Sequence, residues 1–243
     1  MNAKIIFAYV FLLMTGFQSI LGQRIGSVST DDLNSYEPYL TGELFAPGLI
    51  VDETDYFSSG WLSGNISLSN GAIIKDKLIK YNGLLDELFW LEPNSKNVIK
   101  LDKEAIQQFH FQNLNGDTSV YFRKIKGKRN AIADSGDVFE QVIYEGSLSL
   151  FIIHNYKFER TEFIRINGVT CEKNVYVEEP IYIFRLTNNK TFVMKRLRPH
   201  SLYTFSPDNK DKIKEFLKEN KSGAAIDNFY LRKLTQFLST IIN

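Results

Sequence analysis

The residues able to do chemistry are few and scattered. The only cysteine is Cys171, and the three histidines are His110, His154 and His200. No His-x-x-x-His pair and no Cys pair occurs, and zinc sites draw on such close spacings. No metal or cofactor is therefore expected. His154 falls in phase with Leu150 and Ile152 on an apolar strand, which marks a core-edge histidine rather than a ligand. A nucleophile elbow needs Gly-x-Ser-x-Gly. Ser63 precedes Gly64, but Gly60 lies one position too far away; Ser147 directly follows Gly146 inside an expected hairpin. Cys171 as a nucleophile would need a histidine beside it in space. The adjacent Glu178-Glu179 would point to opposite faces of a strand and could not flank one glycosidic bond. Asp102 and Glu104 follow a strand in an expected turn. The acidic Asp52, Glu53 and Asp55 lack the calcium-loop pattern and its glycine. No catalytic constellation is legible.

Two basic runs remain, Lys124-Ile125-Lys126-Gly127-Lys128-Arg129 and Arg196-Leu197-Arg198-Pro199-His200. The first reads as a solvated hairpin tip whose lysines protect a sheet edge, and the second calls for the same reading. Loss of Lys4 with an N-terminal leader reduces the 29 Lys and Arg to the number of Asp and Glu, 28. A nucleic-acid binder shows a basic excess or stripe, so none is expected as a partner. Of the two tryptophans, Trp90 sits among Leu88, Phe89 and Leu91 and reads as core. Trp61, beside Gly60 near a strand start, is the better surface candidate for stacking on a sugar or anchoring a partner.

The elements that must position these residues read as follows. Lys4 and the uncharged run Ile5–Phe17 form a charged and an apolar region too short to span a bilayer, the pattern of a secretory signal peptide. Gly22/Gln23 is the expected cut, so residues 1–22 leave and no transmembrane span remains. Residues 23–57, with Pro38, Gly42, Pro47 and Gly48, read as an irregular leader draped over the body. One cysteine cannot form an internal disulfide, so the core alone must hold the fold. With 19 Phe and 12 Tyr the chain suits pleated structure.

Residues 58–205 read as an antiparallel β body. Strands are expected near Ile66–Leu68, Lys77–Tyr81, Leu88–Leu91, Val98–Leu101, Phe109–Phe111, Val120–Ile125, Val138–Tyr144, Leu148–Tyr156, Phe163–Ile166, Val175–Val177, Ile181–Leu186 and Thr191–Met194. Asn70-Gly71 and Asn82-Gly83 are the strongest tight-turn signals, because both residue types tolerate positive φ. Asn188-Asn189-Lys190 marks another turn. Beyond Ser206 the period changes. Ser206 can cap, Pro207 suits a first helical position and Asp208 complements the positive helix end. A second helix is expected from about Asp227, with Leu231, Leu234, Leu238 and Ile241 on one face. The expected class is mainly β (α+β): antiparallel meanders forming an open barrel or two packed sheets, with a C-terminal pair of α-helices in 206–243.

The stretch Trp61–Phe111 has its core in Asn70-Gly71, Lys80-Tyr81-Asn82-Gly83-Leu84-Leu85-Asp86-Glu87-Leu88, Val98–Leu101 and Phe109. It resembles a loose group of exported proteins of unknown function from Bacteroidetes-type bacteria, in which a Tyr-Asn pair ends a strand and an acidic residue follows. Val138–Tyr156 and the Asp208–Asn220 helix extend the likeness over most of the chain. The resemblance implies a bacterial source, export and a β-rich fold, and carries no catalytic assignment. Its motif residues Tyr81, Asn82 and Asp86 join Trp61 as candidate binding residues. The expected function is a non-enzymatic binding or interaction module of the periplasm or outer envelope, or one released outside, whose partner is an envelope protein. The alternatives are a carrier of an apolar small ligand in a curved sheet, and an enzyme of undetected class.

Overall fold

In this computed structural model, residues 40–46, 55–114, 118–127, 136–220 and 227–242 are described. The expected signal segment 1–22 and most of the expected leader lie outside them. The chain is mainly β. Strands β1 (Gly42–Leu44), β2 (Leu62–Leu68), β3 (Ile73–Asn82), β4 (Glu87–Leu91), β5 (Val98–Leu101), β6 (Ile106–Leu114), β7 (Thr118–Gly127), β8 (Gly136–Tyr144), β9 (Leu148–Ile153), β12 (Ile181–Leu186) and β13 (Thr191–Met194) make one sheet. Its order is β1-β5-β4-β3-β2-β6-β7-β8-β9-β12-β13, antiparallel throughout. The remaining strands, β10 (Tyr156–Ile166) and β11 (Val169–Glu178), pair only with each other.

The sheet is not closed into a barrel, but its first half must curl. Strands β5 and β6 stand four positions apart in the strand order. On a flat sheet that is about 19 Å at roughly 4.8 Å per strand. Only Asp102–Ala105 join them, and Lys103–Ala105 are wound into a 3₁₀ turn. A link that short requires the sheet to wrap. The wrap brings Tyr81 of β3 against Phe122 of β7 (4.8 Å between ring centroids) and Phe139 of β8 (6.1 Å). Phe109 stacks on Phe122 at 4.8 Å and meets Phe139 edge-on at 5.1 Å. These rings, with Ile66, Ile79, Trp90 and Phe111, fill the concave interior. Gly64 lies where the backbones crowd: a Cβ there would overlap the carbonyl of His110 on β6.

Beyond β8 the same face is covered by helices instead. Alternation puts Ile152, Leu150, Tyr182 and Phe184 on it. These pack with α1 (Pro199–Tyr203), α2 (Lys210–Glu219) and α3 (Asn228–Ile241) through Leu202, Ile213, Phe216, Leu231, Leu234 and Leu238. Each such side chain contributes about 1.5–3 kcal/mol when fully buried. The helix expected from about Asp227 is α3, and Asp227 caps it, accepting from the Tyr230 amide at 2.7 Å. The helical pair expected in 206–243 is present as α2 and α3, and a short helix, Pro199–Tyr203, precedes it. Ser206-Pro207-Asp208 starts a 3₁₀ turn, Pro207–Asn209, that leads into α2. The Ser206 hydroxyl accepts from the Asn209 amide side chain rather than capping the backbone.

Three further local differences have physical causes. Gly42–Leu44, inside the stretch expected to be irregular, pairs with Ile99–Leu101 as an edge strand. Asn82-Gly83 is not the two-residue turn. Asn82 ends β3 and its side-chain oxygen accepts from the Leu85 amide at 2.8 Å, so the chain reverses over Gly83–Asp86 with the positive φ at Asp86 (60°). The short strands expected at Phe163–Ile166 and Val175–Val177 are parts of one long hairpin. Its tight turn is Asn167-Gly168, with φ of 50° and 86°.

Phe122 lies at the centre of the aromatic interior, so Phe122→Ala is expected to cost about 3–5 kcal/mol. A urea midpoint near that of the parent protein would show that the wrap does not depend on this ring.

Candidate functional site

Tyr81, Asn82 and Asp86 are brought together, and the result is a buried clamp. Asp86 is 2% exposed. One carboxylate oxygen accepts from the Tyr81 hydroxyl at 2.5 Å and the other from the Lys103 ammonium at 2.5 Å, while the Phe139 amide of β8 lies 3.3 Å from both. Lys103 belongs to the β5–β6 turn. Lys124 of β7 donates to the carbonyls of Lys103 (3.0 Å) and Glu104 (2.9 Å). The first residue of the basic run therefore sits inward, holding the turn, and is not part of a solvated tip. The rest of that run from Lys128 lies outside the described residues. The clamp's oxygens are all engaged, so these residues position the wrap and present no open group to a ligand. Trp61 is half-buried at the start of β2, away from this set in the chain and on another element.

A second polar cluster roots the projecting hairpin. His154 is 9% exposed and lies just beyond β9. Its Nδ1 is 2.5 Å from Glu178 Oε1 at the end of β11, and its Nε2 is 2.9 Å from Gln141 Oε1 of β8. Gln141 in turn reaches Asn228 of α3 at 3.4 Å. Phe57, Phe122 and Tyr81 surround the imidazole. Burial pushes the Glu178 carboxyl up, but the hydrogen bond and charge of His154 outweigh it, so the net shift is downward. Burial, followed by the Glu178 charge, raises Tyr182 beside it. The expectation of a core-edge histidine fits this place, and its partner Glu178 is one of the adjacent carboxylates considered for acid–base work.

On the opposite face of the sheet Glu140 is fully buried. Arg123 binds one oxygen at 2.7 Å, and Arg185 lies 3.9 Å from the other, which has no hydrogen bond. Both guanidinium groups also cover the Phe151 ring, at 4.3 and 4.8 Å. His110 pairs with Asn65 at 3.1 Å and stacks on Tyr121, and burial lowers its pKa. Asp102 caps its own turn through the Glu104 amide. Ser63 donates to Gln112. Among the described residues no three of His, Cys, Asp and Glu cluster as metal ligands, and no helix is long and apolar enough to cross a membrane.

Two surfaces are open. The β10–β11 hairpin stands off the main sheet and exposes Phe158 (50%), Phe163 (69%), Val169 (63%) and Val177 (44%). Ile164 and Cys171 face each other near its tip, beside the Ile166–Val169 pair. Sequence reasoning missed this arm, although Asn167-Gly168 signalled its turn. The other surface is a cavity of about 510 Å³ beside β13, lined by Phe192–Met194 and by Lys195, Arg196, Arg198, His200, Ser201 and Thr204. The second basic run therefore lines a groove.

Removing the Asp86 carboxylate leaves Lys103, Tyr81 and the Phe139 amide unpaired. Asp86→Ala is expected to cost about 3 kcal/mol, the low end for a broken buried pair because Lys103 keeps access to water; denaturant titration reads it. For Glu178, a carboxyl held below its ordinary value contributes stability above that value, 4.5, and loses it as pH falls through the folded-state value. Glu178→Gln is therefore expected to destabilise at neutral pH and to converge with the parent in acid. Parallel stability–pH curves would contradict the assignment.

The chain matches no family model, no curated protein and no solved structure.

Proposed function

We propose that the protein is an exported, non-enzymatic interaction module of a bacterial cell envelope, and that the β10–β11 hairpin is the arm that engages its protein partner. The observation that carries this reading is the arm itself. An isolated two-stranded hairpin is marginal in water without a packed face. This one extends over 11 and 10 residues and holds two aromatic and several β-branched side chains in solvent. Exposed apolar side chains beside polar ones mark interaction sites, and here Glu172 stands opposite Phe163 and Glu162 opposite Lys173. The basic Lys4 followed by the uncharged apolar run Ile5–Phe17 is the sequence pattern that supports export.

The carrier reading needs room inside the sheet. The concave interior is occupied by the stacked rings of Phe57, Tyr81, Phe109, Phe111, Phe122 and Phe139, which favours the interaction reading over it.

The test is affinity purification of the tagged protein from its native envelope, with mass spectrometry of what accompanies it. A stoichiometric protein partner is expected, and Phe163→Ser/Val169→Ser is expected to lose it with thermal stability unchanged, since both side chains are exposed. Recovery of the bare protein, or a partner retained by the variant, would overturn the reading.

A further inference from the structure

A second docking surface, independent of the hairpin, lies at the far edge of the main sheet. Strand β13 closes the strand order and pairs with β12 alone. The cavity beside it touches the consecutive residues Phe192, Val193 and Met194. Neighbouring side chains in a strand point to opposite faces, so a cavity reaching all three runs along the strand's backbone edge rather than over one face of the sheet. The groove is open to solvent and about 510 Å³ in volume. The opposite wall is α1 with its preceding loop.

The charge of the groove is one-sided. Lys195, Arg196 and Arg198 line it, and none makes an ion pair among the described residues. Several other cations, Lys100, Lys103, Arg123, Lys124 and Arg160 among them, are matched to carboxylates, whereas the lining of this groove holds no carboxylate at all. In a chain with nearly equal numbers of cations and anions, three cations in the loop that leaves the free edge, with no carboxylate beside them in the lining, form a local field. Edge strands offer unpaired N–H and C=O groups to any added strand. Peptide recognition by strand addition uses these groups for affinity and flanking pockets for selection.

We propose that this groove binds an extended acidic peptide segment, which adds as a strand to the free edge of β13 and sets its carboxylates against Lys195, Arg196 and Arg198. Half-buried Phe192 and exposed Val193 give alternate peptide side chains an apolar footing. Main-chain pairing supplies register, and the cations select acidic over basic segments.

The test uses the full chain and a labelled, end-blocked heptapeptide of alternating Glu and Val, followed by fluorescence anisotropy at low salt. Binding is expected, together with slowed hydrogen exchange at the amides of Thr191–Met194. Arg196→Glu/Arg198→Glu is expected to weaken it by roughly tenfold or more, about 1.4 kcal/mol per factor of ten. Both side chains are exposed, so circular dichroism is expected to be unchanged. A Lys-Val peptide is expected not to bind, and a peptide N-methylated at alternate residues is expected to lose binding without any change to the protein. No binding of the acidic peptide, or indifference to the charge reversal, would overturn the proposal. Equal binding of the N-methylated peptide, or competition by inorganic phosphate alone at comparable concentration, would also overturn it, because the groove would then recognise anions without adding a strand.

Discussion

The wrap of the first half of the sheet is given its direction by a single buried carboxylate. Asp86 sits at positive φ in the β3–β4 turn and ties together three places far apart in the strand order: Tyr81 of β3, Lys103 between β5 and β6, and the Phe139 amide of β8. A charge this deep is tolerable only where each oxygen has donors, and here the donors come from elements that a flat sheet would hold apart. The aromatic interior supplies the greater part of the free energy, but it is non-directional. The clamp adds direction: it fixes which turn meets which strand.

One face of one sheet is thus buried by two different means. From β1 to β7 the sheet covers itself by curling over its own rings. From Ile143 of β8 through β9, β12 and β13 it stays open and takes a helical cover. The changeover falls near His154 and Gln141, where a polar chain links the curled half, the root of the hairpin and α3. Such a placement lets two cores with different covers share strands, with His154, Gln141 and Asn228 bridging them.

Much of this was legible in the order of residues. Period-two alternation and turn residues located the strands of the main sheet other than the edge strand β1 because those strands have a buried face, and Leu231, Leu234 and Leu238 located α3 for the same reason. The hairpin β10–β11 was read as fragments because it has no buried face. Lys157, Glu159, Arg160 and Glu162 interrupt any apolar alternation, and only cross-strand pairing with Lys173–Val177 holds the segment extended. Lys124 was read as solvated because its partners are backbone carbonyls of a turn 20 residues away, which no local pattern encodes. The motif Tyr81-Asn82-Asp86 was visible, but its role as a clamp depends on Lys103 and on β8, positions that only the wrap brings near.

The hairpin has a mechanical consequence. At roughly 3.4 Å per residue an 11-residue strand extends about 35 Å, and its footing includes the Glu178–His154 contact, the Glu179 amide donating to the Asn155 carbonyl at 2.7 Å, and the close approach of Tyr156 to Gly83, where an added Cβ would lie 2.8 Å from the tyrosine hydroxyl. The arm is a long beam on a short hinge line. A tilt of about 10° at the root would carry the tip through roughly 6 Å on that length. Conversely, a load at the tip acts on His154 with all the leverage of the arm, and through Gln141 on Asn228 at the head of α3. The geometry makes the hairpin a lever, with its fulcrum at the seam between the two halves of the sheet.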